Sequence, residues 1–243
     1  MNSAAIKPRR ALITGASRGI GRAVAERLAA AGVEVGLVAR SSDQLQQVSV
    51  AIQARGGHAH TQVLDLLELQ QIPQQLQELV ERMGGCDLLI NNAGMGYTAP
   101  VADTPLADWQ KVMDLNLTAA FLCIQGVLPH MRQQQRGTII NVVSVAGKQA
   151  FPSWGAYSAS KFGLMGLSQA LAQEERSHGI RVTAFCPGAV DTDLWDSETV
   201  KMQLDRSQML RVEDVADYLV QVVLSPPTVV VEEIMLMPAG GVL

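Results

Sequence analysis

The chain has 243 residues, is 48% hydrophobic and carries a formal net charge of −4, enough apolar material for one sizeable core. Its densest basic cluster is only Lys7, Arg9 and Arg10, so nucleic acid is not expected as a partner. No apolar leader opens the chain, no run approaches the roughly 18 apolar residues of a membrane span, and the scattered Cys86, Cys123 and Cys186 show neither metal spacing nor a disulfide framework, which points to a reducing cytoplasm and no membrane partner. His58 and His60 share one face of a strand-like run, but no third ligand stands near, so no metal is expected. In chain order, a short apolar run at 11–14 reads as a strand, and 19–31 as a helix with Ile20, Ala23, Val24, Arg27 and Leu28 at helical spacing. A second strand follows at 33–38, then a helix to about 55 with Ser41 as its N-cap. Strand 58–64, helix 69–83 with Pro73 as a possible break, and strand 87–91 come next. One long helix is expected over 105–132, then strand 138–143, helix 154–178, strand 180–185, helix 212–224 and strand 233–237. Apolar strands alternating with helices predict a single α/β domain, a doubly wound seven-stranded parallel sheet with helices on both faces. The polar insertion at 191–211 is placed to cover a site at the carboxyl ends of the strands.

The first strand runs into Thr14-Gly-Ala-Ser-Arg-Gly-Ile-Gly21. Gly15, Gly19 and Gly21 permit a tight turn and close backbone approach, and the following helix start favours a pyrophosphate. Ser17, Arg18 and Ile20 lie within the same loop. After the second strand, where an acid would take the ribose hydroxyls of NAD, stand Arg40 and Ser41. Arg18 and Arg40 together suit a 2′-phosphate, which selects NADP(H) over NAD(H). Further on, Tyr157 and Lys161 are four residues apart, so a helix places both on one face. Ser144 stands thirteen residues upstream of Tyr157. A phenol titrates near ~10, and bringing it to ~7 needs roughly 4 kcal/mol of preferential phenolate stabilisation. A cation one turn away in a water-poor pocket supplies energy of that order, so Lys161 is expected to lower the Tyr157 pKa.

Taken together, these motifs resemble the classical short-chain dehydrogenases/reductases, and the match covers essentially the whole chain. The resemblance implies a Rossmann fold. It implies that Asp65 contacts the adenine and that Asn91-Asn92-Ala93-Gly94 closes the cofactor floor. It implies that Pro187, Gly188, Val190 and Thr192 hold the nicotinamide carboxamide. Asn116, Ser144, Tyr157 and Lys161 resemble the family's catalytic tetrad. The implied reaction is hydride transfer between NADP(H) and a carbonyl or alcohol carbon of a small molecule, with Tyr157 as general acid/base and Ser144 as an oxyanion-type donor. Lys161 is implied to hold the nicotinamide ribose and Asn116 to anchor a water that relays protons. A homotetramer or homodimer is also implied.

Phe151, Trp154, Met95, Tyr97 and the insertion residues Leu194, Trp195, Met202 and Met209 offer apolar surface for a hydrophobic or acyl ketone. The nearest relatives by appearance are 3-oxoacyl-[acyl-carrier-protein] reductases and broad carbonyl reductases. Against the former, the chain ends in Ser225-Pro-Pro-Thr and Val229-Val-Val-Glu-Glu-Ile rather than a glycine-rich turn, and this ending looks more like sepiapterin-type reductases. Only Arg132, Arg136, Arg176 and His178 are candidates to dock an acidic carrier. The alternative on the same fold is a catalytically silent NADP(H) sensor or scaffold.

Overall fold

Alternate residues of the central strands are apolar on both sides because both faces of the sheet are covered. In the computed structural model, which describes residues 9–202 and 204–241, the strands are β1 (Arg10–Thr14), β2 (Glu34–Ala39), β3 (Ala59–Val63), β4 (Leu88–Asn91), β5 (Gly137–Val142), β6 (Ile180–Pro187) and β7 (Glu233–Leu236). All pair in parallel in the order β3-β2-β1-β4-β5-β6-β7. The helices are α1 (Gly19–Ala30), α2 (Ser42–Gln53), α3 (Ile72–Arg82), α4 (Leu106–Met113), α5 (Ala119–Gln133), α6 (Gly155–Glu174) and α7 (Val212–Val223). Ala11, Ile13, Leu88 and Ile90 face one layer with Val24, Leu28, Leu45 and Leu219 of α1, α2 and α7. Leu12, Leu89 and Ile139, one residue out of step, face the other with Leu76, Leu79, Cys123 and Val127 of α3 and α5. Burying each such side chain contributes about 1.5–3 kcal/mol. The order reverses between β1 and β4, and the crevice at that switch point is where a ligand of this architecture lies.

Three local expectations are revised. The expected helix at 69–83 starts as a tighter 3-10 turn at Leu69–Gln71 and becomes α3 only at Ile72, with Pro73 in the first turn, where its missing N–H costs nothing. The expected helix at 154–178 ends as α6 at Glu174, with a tighter turn at Arg176–His178 closed by Gly179 at φ 69°. The expected helix at 105–132 is not uniform: α4 and α5 are joined by a π-helical turn at Asp114–Thr118. Within that turn Asn116 Oδ1 accepts from Met95 N at 2.8 Å and its Nδ2 donates to Met95 O at 3.0 Å. Turns of this kind are frequent at functional sites. Contrary to the expectation that no run approaches a membrane span, Leu106–Gln133 is by length and composition apolar enough to cross one. Its Cys123, Ile124 and Val127 are buried in the layer with α3.

Candidate active site

A cleft of about 520 Å³ runs along the carboxyl ends of β1, β4, β5 and β6. Its walls hold Gly15, Ser17, Arg18, Gly19, Ile20, Arg40, Asp65, Asn92, Ala93, Gly94, Ser144, Tyr157, Lys161, Pro187, Gly188, Val190 and Thr192. Gly21, Ser41 and Asn116 are not on those walls. Gly21 is a packing glycine: a Cβ there would lie 2.4 Å from Gly15 O. Ser41 caps α2, its Oγ accepting from Gln44 N at 3.4 Å. Asn116, 1% exposed, acts from behind the wall.

The dinucleotide end is built by backbone. Gly15 turns at φ 64° and Gly19 at φ 54°, a region that favours glycine. The N-cap of α1 is Arg18, extended and with no side-chain cap, and no acid stands in the first turn. The first N–H groups therefore point into the cleft end without a competing side-chain acceptor, a fit for a pyrophosphate. The floor is tied to this loop by Thr14, whose Oγ1 accepts from Asn92 N at 3.0 Å and Ala93 N at 3.1 Å. Asn92 Nδ2 donates back to Thr14 O at 3.0 Å. Beneath, Asn91 Nδ2 donates to Asn141 Oδ1 at 2.9 Å, and Asn141 Nδ2 to Ser168 Oγ at 2.8 Å, which locks β4, β5 and α6 together. Asp65 Oδ1 accepts from Leu67 N at 3.0 Å and shapes the turn after β3. Arg40 is exposed just past the end of β2. Arg18 forms an exposed pair with Asp193 at 3.4 Å. Such pairs contribute about 0–1 kcal/mol, so a phosphate competes readily for this guanidinium.

At the other end, α6 presents Tyr157 and Lys161 on successive turns, with Lys161 Nζ 5.7 Å from the phenol ring centroid. The ammonium donates to Val142 O of β5 at 2.9 Å, and burial pulls its pKa down to about 8. Burial pushes Tyr157 above its ordinary value, and a hydrogen bond with Ser144 opposes this. Desolvation is the largest influence on the phenol and Ser144 opposes it, while the ammonium is bonded to β5. Ser144 Oγ also accepts from Ala146 N at 3.1 Å, which fixes its rotamer.

Several contributors escaped the sequence reading. Ser160, inside the Tyr-x-x-x-Lys spacing, accepts from Asn116 Nδ2 at 3.1 Å and donates to Tyr157 O at 2.7 Å, so it joins the π-turn to the helix that bears Tyr157. Its place within the motif is the one signal that marked it. Arg206 fastens the covering segment: it pairs with Asp191 and donates to Asp196 Oδ1 at 3.0 Å and to Thr192 O at 3.1 Å. Trp154 meets the Tyr157 ring edge-on at 5.2 Å and Trp195 at 5.8 Å. Among the described residues no group of three or more His, Cys, Asp or Glu is arranged to hold a metal; His60 Nε2 meets Glu34 Oε1 at 2.6 Å instead.

The family model for short chain dehydrogenase matches residues 9–203. A 3-oxoacyl-[acyl-carrier-protein] reductase of Synechocystis sp. is 39% identical over 188 residues, which cover 77% of this chain and 76% of that protein. A sepiapterin reductase of Chlorobaculum tepidum is 35% identical over 237 residues, which cover 95% of this chain and 96% of that protein. The crystal structure of a metagenomic short-chain oxidoreductase in complex with NADP aligns with a TM-score of 0.83 at 33% identity, over 95% of this chain and 97% of that one. With the glycine loop, the floor and the Ser144, Tyr157 and Lys161 group all at one cleft, the chain belongs to the short-chain dehydrogenase family.

Proposed function

We propose that the chain is an NADPH-dependent reductase that converts a ketone or aldehyde to an alcohol. The observation that carries this reading is the placing of Tyr157 and Lys161 on successive turns of α6, with Ser144 on the same wall, in the cleft that the glycine loop also lines. Gly15, Ser17, Gly19 and Ile20 hold the pyrophosphate, Arg18 and Arg40 the 2′-phosphate, Asp65 the adenine, and Gly94, Pro187, Gly188, Val190 and Thr192 the nicotinamide end. When bound there, the reduced dinucleotide would supply the hydride that the carbonyl carbon takes up. Ser144 orients the carbonyl oxygen, and Tyr157 passes its phenolic proton to that oxygen as charge develops there. A phenol above its ordinary pKa is in the acid form throughout the neutral range, which suits reduction. The Lys161 ammonium offsets the negative charge that appears on Tyr157 when it gives up its proton, and Asn116 with Ser160 keeps α6 in register. A general screen for NADPH consumption over ketones and aldehydes tests the reading; no consumption with any of them overturns it.

NADPH and NADH Michaelis constants are expected to differ by about tenfold or more in favour of NADPH, because two guanidiniums meet a phosphate that NADH lacks. Arg40→Asp should reverse that order, and equal constants in the parent would sink the cofactor assignment.

Arg206 touches no reacting atom, but it holds the Thr192 carbonyl and both flanking carboxylates. Arg206→Ala is expected to raise the NADPH Michaelis constant about tenfold while kcat changes less, and Arg206→Lys to restore part of it. A parallel fall in melting temperature with an unchanged Michaelis constant would reduce Arg206 to a structural role.

The assembly we propose is a homotetramer in the cytoplasm. Phe121 and Phe162, 41% and 45% exposed, mark the α5/α6 face, and Tyr218 and Met235, 48% and 55% exposed, mark the α7/β7 edge. Light scattering that gives a monomer at micromolar concentration overturns the assembly. Cys86, Cys123 and Cys186 are free and buried, with pKa values raised by burial to about 12, 12 and 11, so they stay as unreactive thiols.

A further inference from the structure

The hydroxyls at the reacting end of the cleft come from two separate pieces of chain. Tyr157 stands on α6, whereas Ser144 stands just past β5, as the N-cap of a tight 3-10 turn at Val145–Gly147. That turn is stiff. Ser144 Oγ accepts from Ala146 N at 3.1 Å, Ser144 O accepts from Gly147 N at 3.0 Å, and Val145 O accepts from Lys148 N at 2.9 Å. A displacement at Gly147 is therefore passed back to Ser144.

The turn meets α6 backbone to backbone at Lys161. Gly147 is buried, and a Cβ added there would lie 2.8 Å from Lys161 O and 3.1 Å from Lys161 C. The same stretch of chain holds the other end of Lys161, whose ammonium donates to Val142 O at 2.9 Å. Residues 142–147 thus grip Lys161 by both its backbone carbonyl and its side chain. Gly147 does not have a positive φ, so the position uses the missing side chain and not a backbone conformation peculiar to glycine. Neither neighbour yields cheaply. Lys161 O lies inside a regular helix, so it moves only with the helix. Val143 Cγ1, 2.5 Å from the added Cβ, belongs to a buried side chain in one cluster with Leu164, Met165 and Cys186.

We infer that Gly147 is a positioning residue: its bare Cα, laid against the Lys161 carbonyl, sets how far Ser144 stands from Tyr157. It touches no reacting atom. The hydrogen bond between Ser144 and Tyr157 joins the two pieces at the phenol. An added methyl group pries the turn from α6 and opens that bond, so the two hydroxyls no longer converge on one carbonyl oxygen. The kinetic part of the test rests on the carbonyl-reductase reading above, to which the inference adds a residue.

The test takes the parent, Ser144→Ala, Gly147→Ala and the double variant. With NADPH and 2,3-butanedione, or the best ketone of the screen above, Gly147→Ala is expected to lower kcat about tenfold to 100-fold. The Kd for NADPH, read by fluorescence titration, should stay within about threefold, because the glycine loop lies at the other end of the cleft. In the Ser144→Ala background the same change should cost less than about threefold, since the contact it disturbs is already gone. The NMR signal of the Tyr157 phenol carbon, in protein grown on isotope-labelled tyrosine and assigned by its loss in Tyr157→Phe, should move in Gly147→Ala in the direction it takes in Ser144→Ala. Losses that multiply in the double variant, an unmoved Tyr157 signal, or a fall in NADPH affinity equal to the fall in kcat overturn the positioning role. Should Gly147→Ala not fold, Gly147→Ala with Val143→Ala leaves only the Lys161 carbonyl in the way and carries the same comparison. Parent-like kcat in that pair assigns the contact to Val143 and overturns the inference as well. No NADPH consumption by the parent with any ketone or aldehyde overturns the reductase reading, and the Tyr157 signal then decides the role of Gly147 alone.

Discussion

Tyr157→Phe should reduce turnover about 100- to 10,000-fold, the range that a positioned general acid contributes. The change removes one oxygen and keeps the ring that packs edge-on against Trp154 at 5.2 Å. Ser144 keeps its bond from Ala146 N, and Lys161 its bond to Val142 O, so neither neighbour is left adrift. The glycine loop lies at the other end of the cleft, so NADPH affinity should stay within about threefold. Because burial already disfavours the charged phenolate, the melting temperature should not fall through any loss of an ionised group. Single-turnover kinetics with a reactive diketone, together with NADPH titration by fluorescence, separate the two effects. Turnover within a few-fold of the parent would remove Tyr157 from the proton's path. Weakened NADPH binding equal to the loss of turnover would make it a binding residue.

The second large effect is expected at a residue that no substrate touches. In Gly21→Ala the new Cβ would sit 2.4 Å from Gly15 O and 2.5 Å from Asn92 Nδ2. Neither partner can yield cheaply. Asn92 Nδ2 is bonded to Thr14 O at 3.0 Å, and Gly15 is itself pressed against the next loop, where a Cβ would lie 3.0 Å from Ala93 Cα. Relief therefore requires the glycine loop and the Asn92–Gly94 floor to part, and these two segments shape the dinucleotide end. NADPH affinity is expected to fall more than about tenfold, and overpacking of this kind costs about 1–3 kcal/mol of stability. For a chain of this size that corresponds to a melting-temperature drop of about 2–4 °C per kcal/mol. Calorimetric titration with NADPH and a thermal melt read both; unchanged values in the two would show that the loop relaxes independently of the floor.

The strands were legible because nothing interrupts them. Leu12, Ile13, Leu37, Leu89 and Ile140 lie in short apolar runs bounded by glycines and turns, and each is fully buried. The places of Arg40 and the glycine loop on the cleft wall were legible because the strand-to-helix junction fixes where the backbone runs. What sequence could not supply was the direction in which long side chains reach. The four-residue spacing put Lys161 beside Tyr157 but did not disclose that its ammonium is bonded to Val142 O. Arg206, Asp191 and Asp196 read as ordinary surface charges, and only folding brings the guanidinium to both carboxylates and to Thr192 O. The π-turn left no trace in the hydrophobic pattern, and its Asn116 is bonded to a backbone 21 residues away, a contact that only folding brings about.

That turn also sets where the segment tolerates changes in length. A π-turn takes up one extra residue locally and lets the α-turns on either side keep their faces, so loss of one residue within 114–118 leaves α4 and α5 in register. One residue gained or lost inside α4, C-terminal to Val112, has no such outlet and would turn the preceding part of the helix by about 100°. With α5 packed against α3 through Cys123, Ile124 and Val127, that rotation would fall on α4. Val112, now fully buried beside Tyr97 and Ala156, would swing towards water, and Asp108 would lose the Tyr97 hydroxyl that it holds at 2.9 Å.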